Sequence, residues 1–215
     1  MVFVTGGTGF LGRALISRLL ADGRGVRALS RAGSGRKLPP GVEVVAGNPF
    51  DAHTFQGHIE AGDTVVQLLG TSKPSPWKGR EFEQVDRASA LATISAAREA
   101  RAGHFVYVSV AHPAPIMRAY IRVRVECERA LAESGLAHTI LRPWYVLGPG
   151  RRWPYAIAPI YKLLEAIPAT REGAERLGMV SLEQMADALA EAVRHPPERA
   201  RVIEVPGIRA ARGSR

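Results

Sequence analysis

The chain has 215 residues, 46% of them hydrophobic, enough for one substantial core but short for two independent domains, so we read residues 1–215 as one domain. Its longest apolar stretches, such as Val65 to Leu69, fall far short of the ~20 residues a membrane helix needs, which argues against any bilayer-spanning segment. The formal charge of +9 comes from 29 basic and 20 acidic residues, scattered through every segment rather than gathered as a nucleic-acid surface requires.

Short β-branched runs alternate with helical patterns along the chain, the pattern of a parallel sheet covered by helices on both faces. A strand at Val2 to Thr5 enters a glycine turn, and a helix follows from Phe10 to Ala21, where Leu11, Ala14, Leu15 and Leu19 recur at helical spacing. The direct start of this strand leaves no room for a signal peptide, which implies a cytoplasmic protein. Val26 to Ser30 is the second strand, Gly33 to Lys37 a mobile loop, and Val42 to Ala46 the third strand. Asp51 caps a short helix, Thr64 to Leu69 forms the fourth strand, and a long helix covers Glu81 to Ala100. Phe105 to Ser109 is the fifth strand, and a helix from Arg118 to Ser134 stops at Gly135, a residue suited to a left-handed cap. Thr139 to Leu141 is the sixth strand. Residues 143–180, rich in tryptophan and proline, read as a partly irregular C-terminal cap over the sheet's carboxyl edge. Ser181 with Gln184 makes a capping box for a helix to Arg194, Arg201 to Val205 forms a last strand, and the tail after Gly207 is expected to be loose. The one cysteine, Cys127, reads as a small buried filler.

The strongest chemical signal is Thr5-Gly6-Gly7-Thr8-Gly9-Phe10-Leu11-Gly12, set between a strand and a helix. Gly6 permits the tight turn, Gly9 lets backbone approach a pyrophosphate, and Gly12 allows close packing of helix on sheet. Thr8 lies within the turn, and the N–H groups of Phe10 and Leu11 point at an anion from the helix N-terminus. No Lys-Ser or Lys-Thr follows the glycines, so a P-loop is excluded and a dinucleotide is indicated, in a Rossmann-type doubly wound fold. The second strand ends in Ser30-Arg31 rather than in an acidic residue. Arginine at that place can pair with a 2′-phosphate, with Arg36 or Lys37 as helpers, so NADP(H) is favoured over NAD(H).

These residues, with Gly47-Asn48 before Asp51, Phe105 to Ser109, Tyr120 with Glu126 and Glu128, and Leu141-Arg142-Pro143, resemble the atypical short-chain dehydrogenase/reductases. The likeness is to their NmrA-like and complex-I-subunit-like NAD(P)-binding members. The resemblance implies that Asn48 meets the adenine amine and that Leu69, Gly70 and Thr71 line the adenosine ribose and pyrophosphate. It also implies that Ser109 touches the cofactor and that Pro143 to Tyr145 lie near the nicotinamide carboxamide.

In catalytic members of that family a Tyr-x-x-x-Lys pair handles the proton; here the spacing reads Tyr120-Ile121-Arg122-Val123-Arg124. Residues four apart share a helical face, so Tyr120 and Arg124 are the expected catalytic pair, the cation favouring phenolate. Arginine is no proton relay, and His112 stands near the place of the family's missing serine. Glu126 and Glu128 read as solvated helix charges pairing with Arg122 and Arg129. The other five histidines lack the spacing of a metal site. Trp144, Tyr145, Trp153, Tyr155 and Tyr161 either surround a small apolar or planar substrate or form the cap's own core. Two functions stay open: an oxidoreductase acting on a small carbonyl or quinone, and a non-catalytic NADP(H)-binding redox sensor or assembly factor.

Overall fold

The computed structural model describes residues 1–72, 74–148 and 176–211. Seven parallel strands form one sheet in the order β3-β2-β1-β4-β5-β6-β9. They are β1 (Val2–Thr5), β2 (Val26–Ser30), β3 (Glu43–Ala46), β4 (Thr64–Gln67), β5 (His104–Val108), β6 (His138–Arg142) and β9 (Ala200–Glu204). The chain runs outward from β1 to β3, then returns to place β4 on the other side of β1, where Val2 pairs with both Val26 and Thr64. That reversal opens a crevice outside the carboxyl ends of β1 and β4, the place where such sheets take ligands.

Alternation along each strand feeds two apolar layers. Val2, Val4, Val66, Val106 and Leu141 face α1 (Phe10–Ala21), α5 (Leu182–Arg194) and α6 (Val205–Ala210). Phe3, Val65, Phe105, Tyr107 and Ile140 face α3 (Ala88–Glu99) and α4 (Arg118–Glu133). Leu15, Leu19, Leu131 and Leu189 are each fully buried, and each such side chain contributes roughly 1.5–3 kcal/mol relative to exposure. Arg18 pairs with Asp187, and Arg194 with Asp22 at 2.6 Å, so the C-terminal end of α1 is tied to α5 at two points.

The expected elements are present, with shifts of a residue or two at their ends. The capping box of Ser181 and Gln184 is formed, and Gly135 takes a positive φ of 78° after α4. The long helix begins as α2 (Gly79–Glu81) and passes through a π-helical stretch (Phe82–Arg87) before α3. One expectation needs correction. Residues 208–210 are helical rather than loose, because Val205 and Ile208 bury their side chains and a Cβ at Gly207 would come within 3.0 Å of Ile203; residues 212–215 lie outside the described residues. The loop after β2 closes as a tight 3₁₀ turn (Gly35–Lys37), with the Ser34 amide donating to the Arg31 carbonyl. From the cap region, β7 (Tyr145–Leu147) and β8 (Met179–Ser181) form a two-stranded parallel ribbon. Trp153, Tyr155 and Tyr161 lie outside the described residues.

Candidate dinucleotide site

The glycine turn leaves β1 against the end of β4. At Gly6 φ is +70°, and a Cβ there would stand 2.7 Å from the Leu69 nitrogen and 2.8 Å from the Leu68 carbonyl carbon. A Cβ at Gly12 would collide with Gly6 and Gly7 backbone, so helix and turn touch without an intervening side chain. Gly9 differs: a Cβ there would meet only the Gly6 oxygen, at 3.1 Å, and otherwise open space. The Gly9 amide donates to the Gly6 carbonyl at 3.0 Å, and no side chain caps α1. With Gly9 as N-cap, bringing no side-chain acceptor, the positive end of the α1 dipole stands at the turn.

Ser30 is buried at the end of β2 and donates its hydroxyl to the Arg31 carbonyl at 3.1 Å, while Arg31 is exposed. The Arg31 side chain is free to meet a ligand. Asn48 is exposed after β3, and its Oδ1 accepts from the Phe50 amide at 3.1 Å, so part of its hydrogen-bonding capacity shapes its own turn. Leu69, Gly70 and Thr71 follow β4 at the rim, half-buried.

Beneath that rim lies a buried polar network. Asp86, on the π-helical stretch and fully buried, accepts from the Thr71 amide at 2.9 Å and the Thr71 hydroxyl at 2.5 Å. Its other oxygen receives Arg124 Nη2 at 2.5 Å. Arg124 also donates to the Val108 carbonyl at 2.8 Å and to the Tyr107 hydroxyl at 3.3 Å. Gly70 rests directly on the pair: a Cβ there would be 2.5 Å from Arg124 Nη2 and 2.7 Å from Asp86 Oδ1. Burial holds the Tyr107 phenol well above its usual range, protonated, against the opposing pull of Arg124. Beside it Gln67 takes a hydrogen bond from Thr5, donates to Ser89 Oγ at 3.0 Å, and accepts from Thr93 at 3.4 Å.

Tyr120 stands in the first turn of α4. Its ring lies tilted on Phe82 at 4.8 Å between centroids, with the Arg124 guanidinium 5.0 Å from the ring centre. The helical spacing thus brings Tyr120 and Arg124 together, as a cation over a ring, while Arg124 Nη1 and Nη2 are spent on Asp86 and the sheet end and its buried Nε has no hydrogen-bond partner. Met117, just before the helix, holds the left-handed φ of 62°, uncommon for a side-chain-bearing residue. Ser109 is 3% exposed, and its Oγ has no hydrogen-bond partner. A buried hydroxyl left unpaired is costly unless a ligand completes it. The Pro143 carbonyl accepts from the Ala111 amide at 2.9 Å, joining the loops after β5 and β6, and Trp144 meets Tyr145 edge-on at 5.6 Å. The open cradle at Gly9, the uncapped helix start and the orphaned Ser109 hydroxyl fit a bound dinucleotide.

Two carboxylates differ from expectation. Glu128 is buried rather than solvated, and it pairs with Arg142 at 2.5 Å instead of Arg129, with His112 3.6 Å away. Glu126 remains near Arg122 but lies nearer Arg87, at 3.3 Å. Among the described residues no group of three metal-ligating side chains converges. Asp86, Gln67, Ser89 and Thr93 escaped the sequence reading. Their signal was a polar strand end followed by polar residues at positions 86, 89 and 93, one interior helical face.

The family profile described as NAD(P)H-binding matches residues 6–196, so this chain belongs to that family. The ceramide reductase of Caulobacter vibrioides is 28% identical over 200 residues, 91% of this chain and 62% of that protein. The photosystem II assembly factor Ycf39 of Trieres chinensis is 30% identical over 146 residues, 66% of this chain and 44% of that one. The chain therefore spans about half to three-fifths of the length of these relatives. Bordetella bronchiseptica WbmH, solved in complex with NAD+, superposes with a TM-score of 0.69 at 23% identity, over 93% of this chain and 73% of that one. Family and fold together agree with the resemblance to atypical short-chain dehydrogenase/reductases.

Proposed function

We propose that this protein is an NADP(H)-dependent oxidoreductase acting on a small apolar carbonyl or quinone, with Tyr120 as the proton donor. The observation that carries the reading is the buried, unpartnered Ser109 hydroxyl at the end of β5, on the same sheet edge as the open Gly9 cradle and the Tyr120 turn. Bound nicotinamide supplies hydride to the carbonyl carbon; the chain supplies position and a proton. The amides of Phe10 and Leu11 hold the pyrophosphate, Ser109 a ribose or carboxamide oxygen, and Arg31 the 2′-phosphate that selects NADP(H). Tyr120 Oη gives its proton to the oxygen of the reduced carbonyl. Arg124, fixed by Asp86, acts through its charge on the Tyr120 ring and passes no proton itself. The Trp144 and Tyr145 rings form an apolar surface against which a planar substrate can rest.

That same commitment of Arg124 to Asp86 favours a second reading, a non-catalytic NADP(H)-binding redox sensor or assembly factor. Calorimetric titration with NADPH and NADH, followed by a carbonyl and quinone screen, separates the two. We expect NADPH to bind more tightly than NADH, and Arg31→Ala to weaken NADPH about tenfold while leaving NADH nearly unchanged, the loss of one charge-assisted contact. Tyr120→Phe is expected to bind NADPH normally and to lose turnover. Absence of turnover in the wild-type chain, with NADPH binding intact, would move the assignment to the sensor. Failure to bind either nucleotide overturns both.

A further inference from the structure

Trp77 is 84% exposed and Ile116 is 52% exposed. They stand on the loops that follow the adjacent strands β4 and β5, both at the carboxyl edge of the sheet. The segments behind them meet, since a Cβ at Gly79 would touch Ala119 at 3.9 Å. The loops at this edge, with the first turns of α2 and α4 that follow two of them, carry Arg31, Arg36, Lys37, Lys78, Arg80 and Arg118 among their described residues, against Glu81 and Glu83 beside Arg80. Lys78 is partly engaged by Glu81 at 2.9 Å; Arg80 and Arg118 are exposed. The 31–42 basic residues are accounted for by a cofactor phosphate. Lys78 and Arg80 lie within three residues of Trp77 in the chain and Arg118 within two of Ile116; Lys78 also donates to the Ser72 carbonyl at 3.2 Å.

We propose that this edge docks on an anionic lipid bilayer, with Trp77 and Ile116 inserted among the acyl chains and Lys78, Arg80 and Arg118 on the head groups. An indole has an apolar body and one polar N–H, the chemistry that settles at a membrane interface. A few inserted side chains bind weakly, and an adjoining basic patch supplies the second signal that stable attachment requires. The mouth of the crevice then faces the bilayer. Docking needs no bound nucleotide and does not rest on the oxidoreductase reading.

Co-sedimentation of the full chain with vesicles of phosphatidylcholine, alone or mixed equally with phosphatidylglycerol, tests the surface. We expect binding to the anionic vesicles, a shift of tryptophan emission to shorter wavelength, and release at about 1 M salt, where the screening length is ~3 Å. Trp77→Ser with Ile116→Ser, and separately Arg80→Glu with Arg118→Glu, should each cut partition about tenfold. Both pairs should keep the wild-type circular dichroism and unfolding midpoint. No binding, binding indifferent to lipid charge, or binding unchanged in the Trp77/Ile116 variant overturns the proposal.

Discussion

His104 makes the chemistry of a single buried side chain measurable. It begins β5 with 1% of its surface exposed, its Nε2 lies 3.0 Å from Thr139 Oγ1, and its Nδ1 has no partner. Burial, then the charges of Arg201 and His138, pull its pKa down from 6.5 to about 4. The folded state thus resists a proton that the unfolded chain takes up near pH 6.5. The His104 contribution is intact above that value, falls as the pH drops from 6.5 toward about 4, and amounts to about 3 kcal/mol at most. Urea unfolding at about pH 7 and about pH 4.5 should show this slope, and His104→Gln should flatten it; an equal slope in the variant would place acid sensitivity elsewhere. At this scale the glycine turn was readable because each glycine answers a local demand of strand, turn and helix. The commitment of Arg124 was not, because its partner Asp86 lies 38 residues away in sequence.

Between elements, the Asp86–Arg124 pair joins the π-helical stretch, α4, the end of β5 and the Gly70–Thr71 rim. A π-turn widens the helix by one residue, and such turns gather at functional sites; here one carries Asp86, whose side chain meets both Thr71 and Arg124. Removing one partner leaves the other charged in the interior. Arg124→Met and Asp86→Leu should each cost about 3–5 kcal/mol of stability, and the double variant Asp86→Leu/Arg124→Met much less than the sum. Denaturant unfolding of the four proteins checks this. If instead the double variant loses the sum of the two singles, the pair has no coupling and the rim is held by other contacts. Sequence periodicity located both helices. It missed the π-turn because the insertion alters helix phase without altering the apolar pattern on either side.

Across the molecule, two apolar layers hold the sheet while the glycine turn and the start of α1 sit on one edge. A nucleotide bound there suppresses local opening of the backbone it touches. Hydrogen exchange with saturating NADPH should slow amides at residues 6–12, 69–71 and 109–111 and leave those at 98–104, on the opposite edge, unchanged. Protection spread evenly over both edges would place binding elsewhere. The doubly wound parallel sheet was legible because alternating β and α units permit few topologies. The β7–β8 ribbon and the final helix α6 were not, because three- and six-residue elements carry too little pattern.

The central place of β1 bears on how the chain assembles. Its partner β4 follows after a long excursion through β2 and β3, with Thr5 and Gln67 62 residues apart. The edge strand β9 joins β6 after an equal interval, Arg142 and Glu204 also being 62 residues apart. A nascent chain that has finished only β1 to β3 presents an open hydrogen-bonding edge along β1, and it must wait for β4 to cover it. Such non-local pairing makes folding slow and leaves the half-made sheet open to aggregation. The same central strand that carries the glycine turn is thus, during synthesis, an edge of the half-made sheet until β4 arrives.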